Sequence, residues 1–166
     1  MIGFKLKSLT DYLLTHLSIA SEQINSYVEE GQIVPVGKKH KSGFDGDSLI
    51  IARFKYTARF EIEGLAETPG ALLTRLTLWL LEHDPGRFDQ GLENPILQID
   101  AETEKLADIE FLIRFDEELE IKEDPDGDYL YKGTNYSLQS LPFDEVDEIA
   151  VGDNEALNTD LPVTND

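Results

Sequence analysis

The sequence has no cysteine, one methionine, one tryptophan, and 14 basic residues against 34 acidic ones. Without cysteine there is no disulfide framework, no thiol nucleophile and no Cys-ligated metal; a reducing compartment fits but is not required. No apolar run approaches the ~18 residues of a membrane span. The opening Met1–Lys7 has no apolar stretch of signal-peptide length. The shortage of Lys and Arg argues against nucleic acid, because phosphate contacts need clustered cations.

Catalytic and ligand motifs are equally scarce. There is no G-x-S-x-G, no P-loop and no G-x-G-x-x-G. His16, His40 and His83 stand far apart, without the spacing of metal ligands. Asp124-Pro125-Asp126-Gly127-Asp128 superficially resembles a calcium loop, but its glycine is misplaced. Gly133 and Thr134 also stand where a closing Glu is needed, so a hairpin turn is expected instead. Carboxylate pairs such as Glu61/Glu63 and Asp116–Glu118 arise by chance in so acidic a chain, and nothing marks one as a glycosidase pair. The expectation is no catalytic residue, no cofactor and no metal.

What remains is a chain of 166 residues, 40% hydrophobic, enough for one domain with a real core. Its net charge of −20 is unevenly spread. Residues 1–60 carry eight basic and six acidic side chains, residues 61–140 six and twenty, and residues 141–166 eight acids and no base. One nearly neutral or basic surface and one acidic surface would suit self-association or stacking on a partner. Alternatively the surplus acid simply keeps the protein soluble.

Leu6, Leu9, Leu13, Leu14 and Leu17 recur at helical spacing, and Ser21 can cap a second helical piece carrying Ile24, Tyr27 and Val28. Gly31 is a stop, and Ile33–Val36 a short edge strand limited by Pro35. Residues 37–48, rich in Gly, Lys and Asp, read as a loop. From Ile50 to Ile62 apolar residues alternate with Ile51, Arg53, Lys55, Thr57, Arg59 and Glu61, a long half-buried strand. Thr68-Pro69 opens a helix, Thr as cap and Pro at the first helical position. Leu72, Leu73, Leu76, Trp79 and Leu80 form its stripe, which Leu78 and Leu81 widen. A helix so apolar around its girth is expected to be covered on more than one side, by this chain or by a neighbouring subunit.

Leu97–Ala101 and Ala107–Ile121 alternate as an antiparallel strand pair, the second interrupted only at Glu117. Tyr129, Tyr131 and Tyr136 suit a last short strand. Beyond Leu141 the pattern dissolves into an acidic, solvated tail. The organisation expected is an α+β domain over residues 1–140, with an antiparallel or mixed sheet of about four strands packed by helices, and a flexible tail over 141–166.

Candidate interface residues follow from charge and greasiness. Lys38, Lys39 and Lys41 lie in the loop, Arg53, Lys55 and Arg59 on one face of the long strand, and Leu78 and Leu81 on the helix. The strand cations could pair internally with Glu110, Asp116 or Glu118. The less favoured alternative is an acidic neighbour met in a head-to-tail contact, which closes into a ring if the rotation permits.

Taken together, several segments resemble one known family. They are Tyr27-Val28-Glu29-Glu30-Gly31-Gln32-Ile33, Phe54–Ile62, the helix with Trp79-Leu80 closing in His83-Asp84-Pro85, Ile99-Asp100-Ala101, Ile109–Ile113, Glu118–Ile121 and Asp126–Tyr131. Their order over about residues 5–132 is similar to that of the phage tail completion protein R family of contractile-tailed phages and their prophages. The lysine-rich loop looks like an insertion. The resemblance implies a tail-terminator-like α+β subunit that forms a ring, usually six-fold. Such a ring caps the head-proximal end of the tail tube and prepares it for head joining. Implied partners are the tail tube protein, the sheath, the head–tail connector and further copies of the chain. The implied location is the host cytoplasm during assembly, then the virion tail. The competing readings are an acidic immunity-type protein that neutralises a basic partner, and a hydrolase whose site the sequence does not reveal.

Overall fold

A computed structural model describes residues 4–41, 47–101 and 106–139. The acidic tail expected beyond residue 140 and the middle of the expected lysine-rich loop lie outside the described residues. The chain runs α1 (Phe4–His16), a 3-10 turn at Ser21–Gln23, β1 (Ile24–Lys41), β2 (Asp47–Leu65), α2 (Pro69–His83) and a second 3-10 turn at Pro85–Arg87. Then follow β3 (Ile96–Ala101), β4 (Ala107–Glu123), β5 (Tyr129–Tyr131) and β6 (Thr134–Leu138).

The strands form one curled antiparallel sheet in the order β1-β2-β4-β6-β5, with β3 also paired to β4. The class is α+β as expected, but six strands replace about four. The added strands are β5 and β6, where one last short strand was expected, and two further corrections lengthen β1 and β2. Residues 24–30 are strand, not the second helical piece. The expected loop at 37–48 is largely the continuation of β1 and the start of β2, with Lys38 opposite Ile50 and Lys41 opposite Asp47.

Bulges explain both differences. The β1–β2 register shifts between Val28 and Glu30, and again between Pro35 and Lys38. Each extra residue switches which positions face the core. Ile24 and Val28 lie in the core parity before the first bulge, and Gly31 and Ile33 after it. No single alternation survives along β1, and the spacing of Ile24, Tyr27 and Val28 imitates a helix. Gly31 sits under the Phe54 ring, whose carbon atoms would lie 2.9–3.0 Å from an added Cβ, so it serves close packing rather than helix termination.

Both helices cover one face of the sheet. Leu6, Leu9 and Leu13 of α1 and Leu72, Leu76 and Trp79 of α2 are buried on Tyr56, Ala58, Phe60, Ile109, Phe111, Ile113 and Phe115. Phe60 and Phe111 face each other across β2 and β4, stacked with ring centroids 4.6 Å apart. Thr68 precedes α2 with extended backbone and Pro69 follows as expected, yet the Thr68 hydroxyl makes no capping bond. Its carbonyl accepts the Ala71 N–H instead.

Two polar clasps fix the helices. Glu117, the break in the β4 alternation, receives the Lys5 backbone N–H on Oε1 at 3.1 Å and the Tyr56 hydroxyl on Oε2 at 2.6 Å. The Tyr56 oxygen in turn accepts the Leu6 N–H at 3.3 Å. A carboxylate and a phenol thus satisfy donors in the first turn of α1, where the helix dipole also favours negative charge. The second clasp is Asp84, 2% exposed, which accepts Arg87 Nη1 at 2.6 Å and Lys5 Nζ at 2.8 Å. Arg87 also reaches the Glu93 carbonyl at 2.9 Å, so the end of α2 is tied both to α1 and to the segment leading into β3.

The first clasp carries a pH signature. Burial, and after it the Glu117 carboxylate, push the Tyr56 phenol far above the usual tyrosine value of 10.0. The neutral phenol belongs to the folded state. Its contribution is complete below pH 10 and is lost as pH rises above that value, because the unfolded chain releases the proton and the folded one holds it. Urea midpoints taken at about pH 9 and about pH 11 should fall more steeply for the native chain than for Tyr56→Phe. Parallel slopes would show that Tyr56 does not drive the loss.

Candidate functional site

Three surfaces are available, and they do not coincide. The first is the sheet face away from the helices. There Arg53 Nε donates to Asp116 at 2.8 Å and its Nη1 to Glu118 at 3.0 Å. Arg59 lies between β1 and β4, donating to Glu29 through Nε at 3.0 Å and Nη2 at 2.6 Å and pairing with Glu110 on the other side. Glu29 raises the Arg59 guanidinium above its ordinary value. Solvent screening leaves pairs of this kind little stabilising effect, but they align three strands. Lys55, between the two arginines and exposed, makes no ion pair among the described residues.

The second surface is α2. Leu72, Leu76, Trp79 and Leu80 point inward, while Leu73, Leu78 and Leu81 are 40%, 56% and 59% exposed. Beside them Phe88 is 71% exposed. Leu73, Leu81, Phe88 and Leu97 edge a cleft of about 280 Å³. Among the described residues α2 is covered on one side only. Leu78 and Leu81 were legible as excess leucines on a helix. Phe88 was not, since a single aromatic in a polar turn carries no periodic signal.

The third surface lies at the far end of the sheet. Val36, Ile51, Leu119, Leu130, Tyr131 and Leu138 are among the residues that line an open groove of about 700 Å³. The register shift between Ile50 and Ala52 turns Leu49 and Ile51 to the same side as Leu119 and Ile121, continuing the apolar face beyond the helices. Lys38, Lys39 and Lys41 occupy the neighbouring end of β1, with Lys39 opposite Leu49. The candidate residues therefore divide between the charged face, the helix layer and this far end. The signal for the groove was Tyr129-Leu130-Tyr131, an apolar triplet on a strand too short to bury it.

Among the described residues no group of three His, Asp or Glu is placed to hold a metal, and no helix is long and apolar enough to cross a membrane. At the calcium-like segment, Asp124 accepts the Asp126 N–H at 2.9 Å on its own side chain and the Gly127 N–H at 2.9 Å on its carbonyl, a tight turn. A Cβ at Gly127 would land on the backbone carbonyl of Tyr136, so close approach to β6 requires glycine there.

Comparison with known proteins gives one family and one relative. The sequence model of P2 phage tail completion protein R matches residues 3–139. An uncharacterised 19.2 kDa protein from the rep–hol intergenic region of Haemophilus phage HP1 (strain HP1c1) is 26% identical over 149 residues, covering 87% of each chain. No solved structure matches.

Proposed function

Because the chain belongs to the P2 phage tail completion protein R family, we propose that it is a structural part of a phage tail, which caps the head-proximal end of the tail tube as a ring and readies that end for head joining. The family match over nearly the whole described fold carries the reading. The exposed side of α2 and Lys55, which forms no ion pair among the described residues, support it, because they give one subunit two different surfaces for neighbours. A head-to-tail contact between copies uses two such surfaces and closes when the rotation permits. In this reading Leu73, Leu78 and Leu81 meet the adjacent copy, and Lys55 meets an acidic region of the tube or of another subunit. The ring covers the growing end of the tube and presents a new surface to the connector. No bond is made or broken, and the final location is the virion tail.

The test is co-expression with the tail tube protein of a contractile-tailed phage whose genome encodes this chain. The tagged chain should be retained with assembled tubes, and labels on it should sit at one tube end. Recovery of the chain with a basic non-tail protein, and none with tubes, would overturn the reading in favour of an inhibitor.

A further inference from the structure

The groove at the far end of the sheet is open in the described structure, and the described residues end at its rim. Leu138 lines it, and the next residue, Gln139, donates its N–H to the Glu120 carbonyl at 3.1 Å. The exit point is therefore fixed. Two residues beyond Gln139 begins the run Leu141-Pro142-Phe143-Asp144-Glu145-Val146-Asp147-Glu148-Ile149-Ala150-Val151. Phe143, Val146 and Ile149 recur every three residues, and the four carboxylates fall between them. Such a segment has one apolar and one anionic side. The β1–β2 end beside the groove carries Lys38, Lys39 and Lys41.

We propose that the groove is the docking site of the chain's own residues 141–151, with Phe143, Val146 and Ile149 seated on its apolar lining and the acidic side toward the lysine-bearing end of β1. Three observations support this occupant. The groove, about 700 Å³ and mostly apolar, has the size of a site that takes a few large side chains. The segment carries four carboxylates, and the β1–β2 end beside the groove bears three lysines. The tether is almost nil, so the segment is present at an effective concentration of about millimolar, far above any second copy at working dilution. The acidic tail then does more than keep the protein in solution, since part of it completes the apolar layer that the helices leave unfinished. The inference holds whether or not the chain caps a tube.

The absence of cysteine makes the test direct. In the full chain, Asp147→Cys introduces a single thiol for a nitroxide label, and amide signals are followed by NMR. The expected result is severalfold loss of intensity at Leu130 and Leu138, reversed by reducing the nitroxide. Phe143→Asp with Val146→Asp in the same labelled chain should restore those signals, which separates docking from mere nearness of a short tether. In a mixture of isotope-labelled unmodified chain and spin-labelled unenriched chain, no loss should appear. Unchanged signals in the labelled chain, persistence of the loss in the double variant, or equal loss in the mixture would each overturn the proposal, the last by assigning the groove to another copy.

Discussion

Glu117→Ala is expected to cost about 3 kcal/mol of folding stability, because it leaves a buried phenol and an N-terminal helix donor without their acceptor. For a domain of this size that is a fall in melting temperature of roughly 6–12 °C. The loss exceeds that of a surface carboxylate because Tyr56 is 3% exposed and its hydroxyl donates to Glu117 at 2.6 Å. Removing the carboxylate strands the O–H in an apolar layer between Phe54 and Phe115, whose ring centroids lie 4.8 and 5.5 Å from that of Tyr56. Glu117→Gln keeps an acceptor and should lose less than half as much. Urea unfolding of the three proteins followed at Trp79 is the measurement. A change below about 1 kcal/mol for the alanine variant would mean that water replaces the carboxylate at no cost, and that α1 is held by its leucines alone.

The second large effect separates assembly from folding. Leu78→Asp combined with Leu81→Asp should leave the melting temperature within about 2 °C, since both side chains are more than half exposed in the subunit. Assembly should nevertheless fail. A leucine that becomes fully covered contributes about 1.5–3 kcal/mol, so two of them replaced by charges should weaken the contact by about a hundredfold or more. A phage lacking its own copy, supplied with the variant in trans, should yield tails without completed ends and few plaques. Full plaque yield with a folded double variant would remove this side of α2 from any contact and return the interface to the charged sheet face.

The parts of the fold that were legible are those where periodicity is unbroken. Ala52–Ile62 and Ala107–Phe115 alternate because one face meets the helices and the other meets water. Helix α2 announces itself by its leucines, Trp79 and the Thr68-Pro69 start. What was illegible has a common cause in the bulges. One extra residue near Glu29 and another near Val36 reset the parity of β1, so it looked like helix, then strand, then loop. Side chains that serve another element are a second blind spot. Glu117 read as a flaw in a strand because its partners, Lys5, Leu6 and Tyr56, lie on two other elements. Asp84 read as the end of a helix, although its carboxylate joins α1 to the segment before β3. The candidate surfaces were legible only as residue types. That Arg53 and Arg59 are engaged by Asp116, Glu118, Glu29 and Glu110, while Lys55 forms no ion pair among the described residues, depends on rotamers that a sequence does not display.

The pairing of β2 with β4 has a kinetic consequence. It joins residues 48 and 122 at one end and residues 65 and 107 at the other, with all of α2 and β3 threaded between. The β1–β2 hairpin can close locally, but the central ladder cannot form until that long intervening stretch has been gathered in. Contacts so distant in sequence place folding in the slow range, milliseconds to seconds. During that interval one side of β2 is an unclaimed edge, open to any other extended chain nearby. A newly made subunit is therefore safest when dilute, and crowding it too early favours tangled aggregates over finished tails.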